Sequence, residues 1–428
     1  MTIGRFLIAA ALALLVSDAS ATATAKQRSP SIDHARRQEA QHRPVLLISI
    51  DGLSPDSLFR QGPDIPVLRG LMRQGSYAER VINVNPTVTN PNHTSLITGV
   101  SPAVHGIVNN RPFAATAELP PSFRAFAAIK AQTLWGAAKA KGLRTASLYW
   151  PVTKDASPID INIDTGDSHD DEQITRDAIE IITMHRPHLL TVHYVTYDAA
   201  QHANGPGTPE AFAALRRIDS DIGRIVARFR AVHRNGVIAI VSDHGFDRTT
   251  RAVNLNAAFA DAGFIRFTDE SRNVVQSWRA FAWYVGASAM VVLNDPADSG
   301  LEADVATFLT TLARRADSGI AAIHGPKDIA AAGLSPQARF VIALKPGYRM
   351  GNAMHGAYSV PYSGGSHGAY ATAAIRRDMH ASLILVGEGI AANRNLGTID
   401  IWQIAPTLAG LLNVPLPAAP LKALKLPD

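Results

Sequence analysis

The stretch VLLISIDG, residues 45–52, is an apolar run, interrupted only by Ser49, that ends on Asp51 and Gly52. A continuous apolar run of this length is typical of a parallel strand that is buried on both faces of a sheet. Four further segments share this character: LRTASLYW (143–150), HLLTVHYV (188–195), VIAIVSD (237–243) and SLILVG (382–387). Helical patterns lie between them, for example over 208–232 and 399–412. Strands that alternate with helices predict an α/β fold with a mostly parallel sheet covered by helices on both faces.

Length and composition describe a large globular protein. The chain has 428 residues, of which 46% are hydrophobic and 18% charged, and this excludes a disordered polymer. The formal net charge is +5, but the basic residues are scattered and form no lysine- or arginine-rich run. We therefore expect no specific nucleic-acid binding. A mildly basic surface instead favours a small anionic substrate.

The first 25 residues have the three-part pattern of a secretory signal. MTIGRF carries one positive charge, FLIAAALALLV (6–16) is a short apolar segment, and SDASATATA ends in small residues. Cleavage after Ala23 or Ala25 fits this pattern, and the apolar run is too short for a permanent membrane span. We therefore expect a signal peptide at 1–25 and a periplasmic or secreted protein.

Composition also divides the rest of the chain. Residues 26–43 are polar and are typical of a linker. Residues 44–264 and 356–428 carry the strand–helix alternation and form the predicted catalytic core. Residues 265–355 break that rhythm with a mixed pattern, which predicts a small α+β insert that caps the core.

Acidic and imidazole side chains follow three of the predicted strands. Asp51 follows the first, Asp198 and His202 follow HLLTVHYV, and Asp243 with His244 follows VIAIV. Because ligands of open α/β sheets bind at the carboxyl ends of the strands, we expect these side chains to converge. The chain contains no cysteine, so any metal must be held by His, Asp, Glu and hydroxyl groups. Five such ligands exceed the three of one catalytic zinc and favour two divalent ions about 4 Å apart.

The segment NPTVTNPNHTSLITG (85–99) offers three threonine hydroxyls as nucleophiles. Pro91 suits the first turn of a helix, so Thr89 or Asn90 is the expected N-cap. A hydroxyl there faces free N–H groups, where phosphate binds readily. Thr94 is expected about one turn inside, facing backbone or core, and Thr87 lies outside the helix. Helix geometry thus favours Thr89 without excluding Thr87.

These motifs, in this order, resemble the bacterial type I phosphodiesterase/nucleotide pyrophosphatase family of the alkaline phosphatase superfamily. The matching segments run from about residue 44 to the C-terminus: Asp51-Gly52, TNPNHTSLITG, SPAVHGIVNN, DAAQHANGP, SDHGF, GSHGAY and DIWQIAPTLAGLL. The resemblance implies an alkaline-phosphatase-like fold and two zinc ions. It also implies hydrolysis of phosphodiester or pyrophosphate bonds through a phospho-threonine intermediate, with a small phosphate-ester or nucleotide-like anion as substrate.

The family's site residues map onto this chain by motif. The resemblance implies that Thr89 is the nucleophile, since it stands two places before Pro-Asn. It implies one metal held by Asp51, Thr89, Asp243 and His244, and a second held by Asp198, His202 and His367.

For two further roles, the asparagine donor and the last histidine ligand, the sequence offers two candidate residues each. Asn110 falls where the family places a donor to a phosphoryl oxygen, and Asn109 stands beside it. The motif HGAY occurs at both 355 and 367, and the family's Gly-x-His-Gly loop favours His367 over His355. His93 and His105 are interpreted as structural histidines that hydrogen-bond loops near the site.

Departures from the family keep other functions open. Asn90 stands where nucleotide-cleaving relatives usually carry a base-stacking aromatic, and TNPN with AVHGI also looks like phosphonoacetate hydrolases. The lysine-bearing segment of those enzymes is missing, because LYWPVTK occupies that region. A phosphomonoesterase would need an extra cation, for which Arg111 and Lys154 are the candidates. A metal-free binding protein that retains the fold is the non-enzymatic alternative.

Overall fold

The predicted strands lie side by side in one eight-stranded sheet. The computed structural model describes residues 42–59, 62–166, 170–271 and 273–426. The five strands predicted from the sequence are β1 (Val45–Ile50), β4 (Thr145–Leu148), β6 (Leu189–Tyr194), β7 (Val237–Val241) and β17 (Leu383–Gly387). The sheet is completed by β2 (Ser76–Tyr77), β5 (Ile161–Ile163) and β18 (Arg394–Asn395). The order is β18-β2-β17-β7-β1-β6-β4-β5, in which only β17 runs against its neighbours, so the prediction of a mostly parallel sheet is confirmed.

Helices cover both faces of this sheet. In β1, Val45 and Leu47 pack into one apolar cluster, and Leu46 and Ile48 pack into another on the opposite face. This alternation buries all six residues of the strand, which explains why its sequence is continuously apolar. The described residues form twelve α-helices: α1 (Pro55–Phe59), α2 (Pro66–Gln74), α3 (Thr89–Thr98), α4 (Pro102–His105), α5 (Leu134–Ala140), α6 (Asp171–His185), α7 (Thr196–Asn204), α8 (Pro209–Val232), α9 (Leu255–Asp261), α10 (Ser299–Ala313), α11 (Pro326–Ala331) and α12 (Ile404–Leu412).

The pattern at 399–412 is not one continuous helix. Its beginning lies in the short strand β19 (Thr398–Asp400), which pairs in parallel with β3 (Arg80–Ile82), and a 3₁₀ turn over Ile401–Gln403 leads into α12. The Asp400 carboxylate accepts from the backbone of Gln403 and the Gln403 side chain bonds back to Asp400, a capping box that starts the turn here.

A second sheet lies within the predicted insert. It contains four antiparallel strands in the order β11 (Ala280–Tyr284), β12 (Ser288–Leu293), β14 (Phe340–Leu344) and β13 (Ile320–His324). A two-stranded ladder of β9 (Ile265–Phe267) and β10 (Val275–Trp278) precedes it. The apolar cluster of this region also includes Leu255 and Phe259 of α9, so its packing extends upstream of residue 265. The boundaries at 264/265 and 355/356 stay a prediction.

A small three-stranded sheet brings the end of the insert back to the core. Strand β8 (Asp247–Val253) pairs in parallel with β15 (Tyr348–Met350) and antiparallel with β16 (Ser359–Ser366). In this register Ser366 stands opposite Asp247. The residues that follow β16 therefore lie close to the residues that precede β8.

The predicted signal peptide at 1–25, and nearly all of the linker at 26–43, lie outside the described residues. Among the helices of the described ranges, none combines the length and apolar character needed to cross a membrane.

Candidate active site

Three adjacent strands deliver acidic residues to one edge of the main sheet. β1 lies between β7 and β6, and Ile50 at its end pairs with Tyr194 at the end of β6. Asp51 directly follows β1, and Asp243 follows β7 by one residue. The Gly52 N–H donates to Oδ1 of Asp243 at 3.2 Å, which joins the first two strand ends. Parallel pairing therefore brings together acids that are about 190 residues apart in sequence.

Helix α7 contributes Asp198 and His202 from the end of β6. Because the segment is helical, these residues four apart share a face, and Nε2 of His202 lies 3.4 Å from Oδ2 of Asp198. Nδ1 of His202 donates to the carbonyl of Gly365 at 3.2 Å, which fixes the ring against β16.

His367 reaches the same place from a distant part of the chain. It directly follows β16, and its ring stacks on that of His244 with centroids 3.8 Å apart. Its Nδ1 donates to the carbonyl of Thr87 at 3.1 Å, and its Nε2 lies 3.1 Å from Nε2 of His202. His367 is buried, whereas His355 in the other HGAY motif is exposed and belongs to neither ligand group found among the described residues.

Two groups of side chains in the described ranges have the geometry of metal ligands. Asp198, His202 and His367 form one group, and Asp51, Asp198 and His244 form the other, with ligand atoms in each group within 4.8 Å of one another. Asp198 is common to both groups, so the two lie side by side. Asp243 adjoins the second group, since its Oδ2 lies 3.1 Å from Nε2 of His244.

The unpartnered atoms of these side chains fit a metal site. Nδ1 of His202, His244 and His367 each donates to a backbone carbonyl, so each Nε2 carries a lone pair directed into the cluster. Four buried atoms of the cluster have no hydrogen-bond partner among the described residues: Oδ1 of Asp51, Oδ1 of Asp198, Oδ2 of Asp243 and Nε2 of His244. Buried carboxylate and imidazole atoms without partners are costly unless a cation binds them. The donor set of oxygens and imidazole nitrogens suits zinc or a similar divalent ion.

The electrostatics of the cluster also indicate a shortage of positive charge. Burial raises the pKa of Asp51 well above its usual range, and the carboxylate of Asp243 raises it further. The pKa of Asp198 is raised in the same way by burial and then by its two carboxylate neighbours. Burial lowers the pKa of His244 to about 4, so this ring is neutral and available as a ligand at neutral pH. Burial, and then the neighbouring His244 and His202, lower the pKa of His367 well below its usual range.

Only one of the three candidate threonine hydroxyls is left without a hydrogen bond in the described structure. Thr87 Oγ1 donates to the carbonyl of Ala369 at 3.1 Å, and Thr94 Oγ1 donates to the carbonyl of Asn90 at 2.7 Å. Thr94 thus faces the i−4 backbone, as predicted. Thr89 is half-buried at the start of α3, and its hydroxyl forms no hydrogen bond with another described residue. Its carbonyl accepts from Nδ1 of His93, which lies 3.4 Å from Oδ2 of Asp243.

The predicted cap of this helix is wrong by one or two residues. The N-cap is Val88, in extended conformation and without a side-chain cap, so Thr89 is the first helical residue rather than the cap. A first-turn N–H, that of Asn90, is instead accepted by Oδ1 of Asn110 at 2.8 Å, so a distant side chain takes over part of the capping role. The hydroxyl of Thr89 is consequently not used by the backbone.

The two candidate asparagines differ in which side-chain hydrogen-bonding groups remain without a partner among the described residues. Asn109 uses both ends of its amide, donating to the carbonyl of Tyr284 at 2.9 Å and accepting from the N–H of Asn110. Asn110 accepts at Oδ1 from the N–H of Asn90 at 2.8 Å, which places it beside the first turn of α3. Its Nδ2 forms no hydrogen bond with another described residue and is available as a donor.

The chain matches the family model described as type I phosphodiesterase/nucleotide pyrophosphatase over residues 45–369. It belongs to this family. Among similar proteins, human ectonucleotide pyrophosphatase/phosphodiesterase family member 1 is 28% identical over 242 residues, and the Crotalus adamanteus venom phosphodiesterase 1 is 26% identical over 224 residues. These alignments cover 52% and 48% of this chain but only 26% of each relative. The chain therefore spans about a quarter of the length of the curated relatives that it matches.

Solved structures of this family support the fold. Human ectonucleotide pyrophosphatase/phosphodiesterase 5 superposes with a TM-score of 0.68 at 21% identity, covering 87% of this chain and 96% of that one. The murine protein, solved as an inactive form in complex with AMP, gives a TM-score of 0.67 at 18% identity over the same shares. The expected alkaline-phosphatase-like α/β fold is thus confirmed.

Within this member of the family, sequence reasoning missed the contribution of His193. This buried residue of β6 stands opposite Ser49 of β1. Its Nε2 lies 3.0 Å from Oδ2 of Asp51, and its Nδ1 donates to the carbonyl of Tyr149 at 3.0 Å. Ser49 bonds Nε2 of His93 at 2.9 Å on the same side. The available signal was a serine and a histidine inside strands that are otherwise apolar apart from Thr191.

Proposed function

We propose that this family member is an exported two-metal phosphohydrolase that cleaves phosphodiester or pyrophosphate bonds through a phospho-threonine intermediate. The observation that carries this proposal is the pair of adjoining ligand groups, with unpartnered atoms facing inward, close to a threonine whose hydroxyl is not otherwise engaged. Zinc is the proposed ion, because the ligands are imidazoles and carboxylates without thiolates.

The proposed ligand sets build on the two groups: Asp243 and Thr89 join Asp51 and His244, and Asp198, which lies within both groups, is assigned to the set of His202 and His367. Asp51, Asp243, His244 and the Thr89 hydroxyl would hold one ion. The other would be held by Asp198, His202 and His367. Bound divalent ions supply the charge that lowers the pKa of a coordinated hydroxyl and offsets the negative charge of a transferring phosphoryl group.

The chain's own residues perform the rest of the reaction. The Thr89 hydroxyl loses its proton to solvent, Oγ1 attacks phosphorus, and the bond to the leaving oxygen breaks. The phosphoryl group is held as a phospho-threonine until water attacks phosphorus, which breaks the bond to Oγ1 and returns a proton to it. Nδ2 of Asn110 donates to a non-bridging phosphoryl oxygen, because its Oδ1 is already fixed by the N–H of Asn90. His93 and His193 orient Asp243 and Asp51 from behind, as outer-shell partners of metal ligands do.

The proposed substrate class rests on the hydrogen bonds of Asn90 and on the names of the similar proteins. The relatives are named as nucleotide pyrophosphatases and phosphodiesterases, and a structural neighbour was solved with AMP. Asn90 does not serve as a stacking platform, since its amide donates to the carbonyls of Asn110 and Phe123. A nucleotide-like ester is therefore the proposed substrate class, with its base contacts lying elsewhere. Export is proposed from the pattern of residues 1–25 and from relatives named as ecto- or venom enzymes.

A substrate panel on zinc-loaded protein tests the proposal. Bis(p-nitrophenyl) phosphate should be hydrolysed faster than p-nitrophenyl phosphate or phosphonoacetate, and the metal content should be two ions per chain. Asp198→Asn should remove activity and lower the metal content, because Asp198 is shared by both groups. Asp304→Asn, on an exposed carboxylate of α10, removes the same charge and should change neither. Protein that purifies without metal and hydrolyses none of the three compounds would show the binding-protein alternative to be right.

A further inference from the structure

A cavity of about 710 Å³, with no acid among the described residues that line it, opens among the loops around the candidate active site. It lies between the insert and the three-stranded sheet, where residues of β11, β15 and β16 meet the loop after Asn110. Two arginines line it, Arg111 and Arg349, together with His355. Since no aspartate or glutamate of the described ranges lines the cavity, the electrostatic potential of this lining favours an anion.

Arg349 is held rigidly in this cavity by aromatic residues rather than by an acid. Its guanidinium donates to the hydroxyl of Tyr362 at 2.6 Å, to the hydroxyl of Tyr284 and to the carbonyl of Met350. Its Cζ lies 4.6 Å from the ring centroid of Tyr362 and 5.9 Å from that of Tyr284. Arg349 is half-buried and forms no ion pair with any described acid. A partly desolvated cation without a counter-charge fits a site whose counter-charge arrives with a ligand.

The donors of this cluster point to the same ligand chemistry. A guanidinium has five N–H donors, and the three contacts above leave two of them uncommitted. Each tyrosine hydroxyl accepts from Arg349, so its own hydrogen is free to donate. The cluster of Tyr284, Arg349 and Tyr362 therefore offers up to four donors around one positive charge. This combination matches a phosphate or carboxylate oxygen.

The cluster lies next to the proposed second metal site. Arg349 bonds the hydroxyl of Tyr362 in β16, and Nδ1 of His202 donates to the carbonyl of Gly365 three residues further along the same strand. The ring of Tyr362 packs against Gly364, which itself lies against the carbonyl of His202. On the other side, the carbonyl of Tyr284 accepts from Asn109, the neighbour of the proposed phosphoryl donor Asn110. By contrast, Thr89 is connected through His93 to Asp243.

We propose that Arg349, with Tyr284 and Tyr362, forms a subsite for a second anionic group on the leaving-group side of the scissile phosphorus. This inference rests on the proposed function, because the departing oxygen lies opposite the attacking hydroxyl in an in-line displacement. It narrows the substrate class to pyrophosphates and to diesters whose leaving group carries a phosphate or carboxylate. A diester with an uncharged leaving group lacks this contact.

Two substrates with the same nucleoside test the subsite. Thymidine triphosphate releases an anionic pyrophosphate, whereas the p-nitrophenyl ester of thymidine 5′-phosphate releases nitrophenol, which carries no phosphate or carboxylate. Arg349→Gln should lower kcat/KM for the triphosphate roughly 10- to 100-fold, as expected for loss of charge-assisted hydrogen bonds. It should change kcat/KM for the nitrophenyl ester by less than about threefold, within the scatter of a neutral substitution. Arg349→Lys, which keeps the charge, should recover part of the loss.

Matched controls separate this role from a structural one. Arg251→Gln removes the same charge from the neighbouring strand β8, where Arg251 bonds Ser359 and does not line the cavity, and it should affect neither substrate. Tyr362→Phe keeps the ring and should reduce the triphosphate reaction selectively, which covers the case that Arg349→Gln fails to fold. An equal loss for both substrates in Arg349→Gln, with a lowered melting temperature, would make Arg349 a structural support and overturn the subsite alone. A wild-type protein that cleaves neither substrate would overturn the proposed function as well.

Discussion

Replacing the three threonines of residues 85–99 one at a time tests which hydroxyl attacks phosphorus. Thr89→Ala should reduce turnover of bis(p-nitrophenyl) phosphate about ten-thousand-fold or more, the usual consequence of removing a nucleophile. This loss corresponds to about 5 kcal/mol of transition-state stabilisation, since each tenfold change in rate is about 1.4 kcal/mol. Thr87→Ala and Thr94→Ala should remain active, because each hydroxyl is committed to a backbone carbonyl.

The stabilities of these variants should follow the opposite order. Thr94 is buried, so Thr94→Ala loses a hydrogen bond worth about 1 kcal/mol and a buried methyl worth about 0.8 kcal/mol. The better helix propensity of alanine offsets a few tenths of a kcal/mol, which leaves a loss of about 1–1.5 kcal/mol. The metal-free Thr89→Ala protein should unfold within about 0.5 kcal/mol of the wild type, because its hydroxyl has no partner among the described residues and the residue is half-buried.

The assay combines initial rates, metal content and urea unfolding on the same preparations. Thr89→Ser keeps a hydroxyl at this position and serves as the matched control, which should retain measurable turnover. The reasoning would be refuted by a Thr89→Ala protein that turns over substrate at the wild-type rate with both metals bound. It would also be refuted if Thr87→Ala abolished turnover without changing stability or metal content, because Thr87 would then be the nucleophile.

Three further results are expected. Removing metal with EDTA should abolish activity and lower the melting temperature, and zinc should restore both, because Asp51 and Asp198 are left buried beside other carboxylates; an unchanged melting curve would argue against bound metal. Asn110→Ala should lower kcat about 10²- to 10³-fold with unchanged metal content, whereas equal losses in Asn109→Ala would contradict the assigned donor. Burial lowers the pKa of His105 to about 3, so the native state binds fewer protons than the unfolded state between pH 3 and 6.5, and stability should fall as pH drops through that window. His105→Asn should reduce the slope of unfolding free energy against pH by up to about 1.4 kcal/mol per unit, and an unchanged slope would mean that this histidine is protonated in the native state.

The strand ends show how far local sequence could predict this site. An apolar run followed by an acid is a local pattern, and it correctly placed Asp51, Asp198 and Asp243 after β1, β6 and β7. That these strands are neighbours follows from pairing between segments far apart in the chain, which no local pattern encodes. The helical spacing of Asp198 and His202, in contrast, could be predicted from the sequence, because it depends on one helix alone.

The start of α3 shows the limit of that reasoning. Pro91 and the polar residues around it predicted a helix start but misplaced the cap, because the N–H of Asn90 is accepted by the side chain of the distant Asn110 and not by a local cap. The choice between Asn109 and Asn110 also depended on a distant partner, the carbonyl of Tyr284 in the second sheet.

The order of apolar runs, helical periods and polar motifs was enough to predict the α/β fold and the family, and to name the residues of the candidate site. Only the tertiary structure brought His367 onto His244, through the antiparallel return of β16 along β8, and placed His193 behind Asp51. The same structure assembled Arg349 with two tyrosines from different strands into a cationic cavity. The physical reason is that strand and helix periodicity depend on neighbours along the chain, whereas burial, unpartnered lone pairs and ring stacking depend on residues that only folding brings into contact.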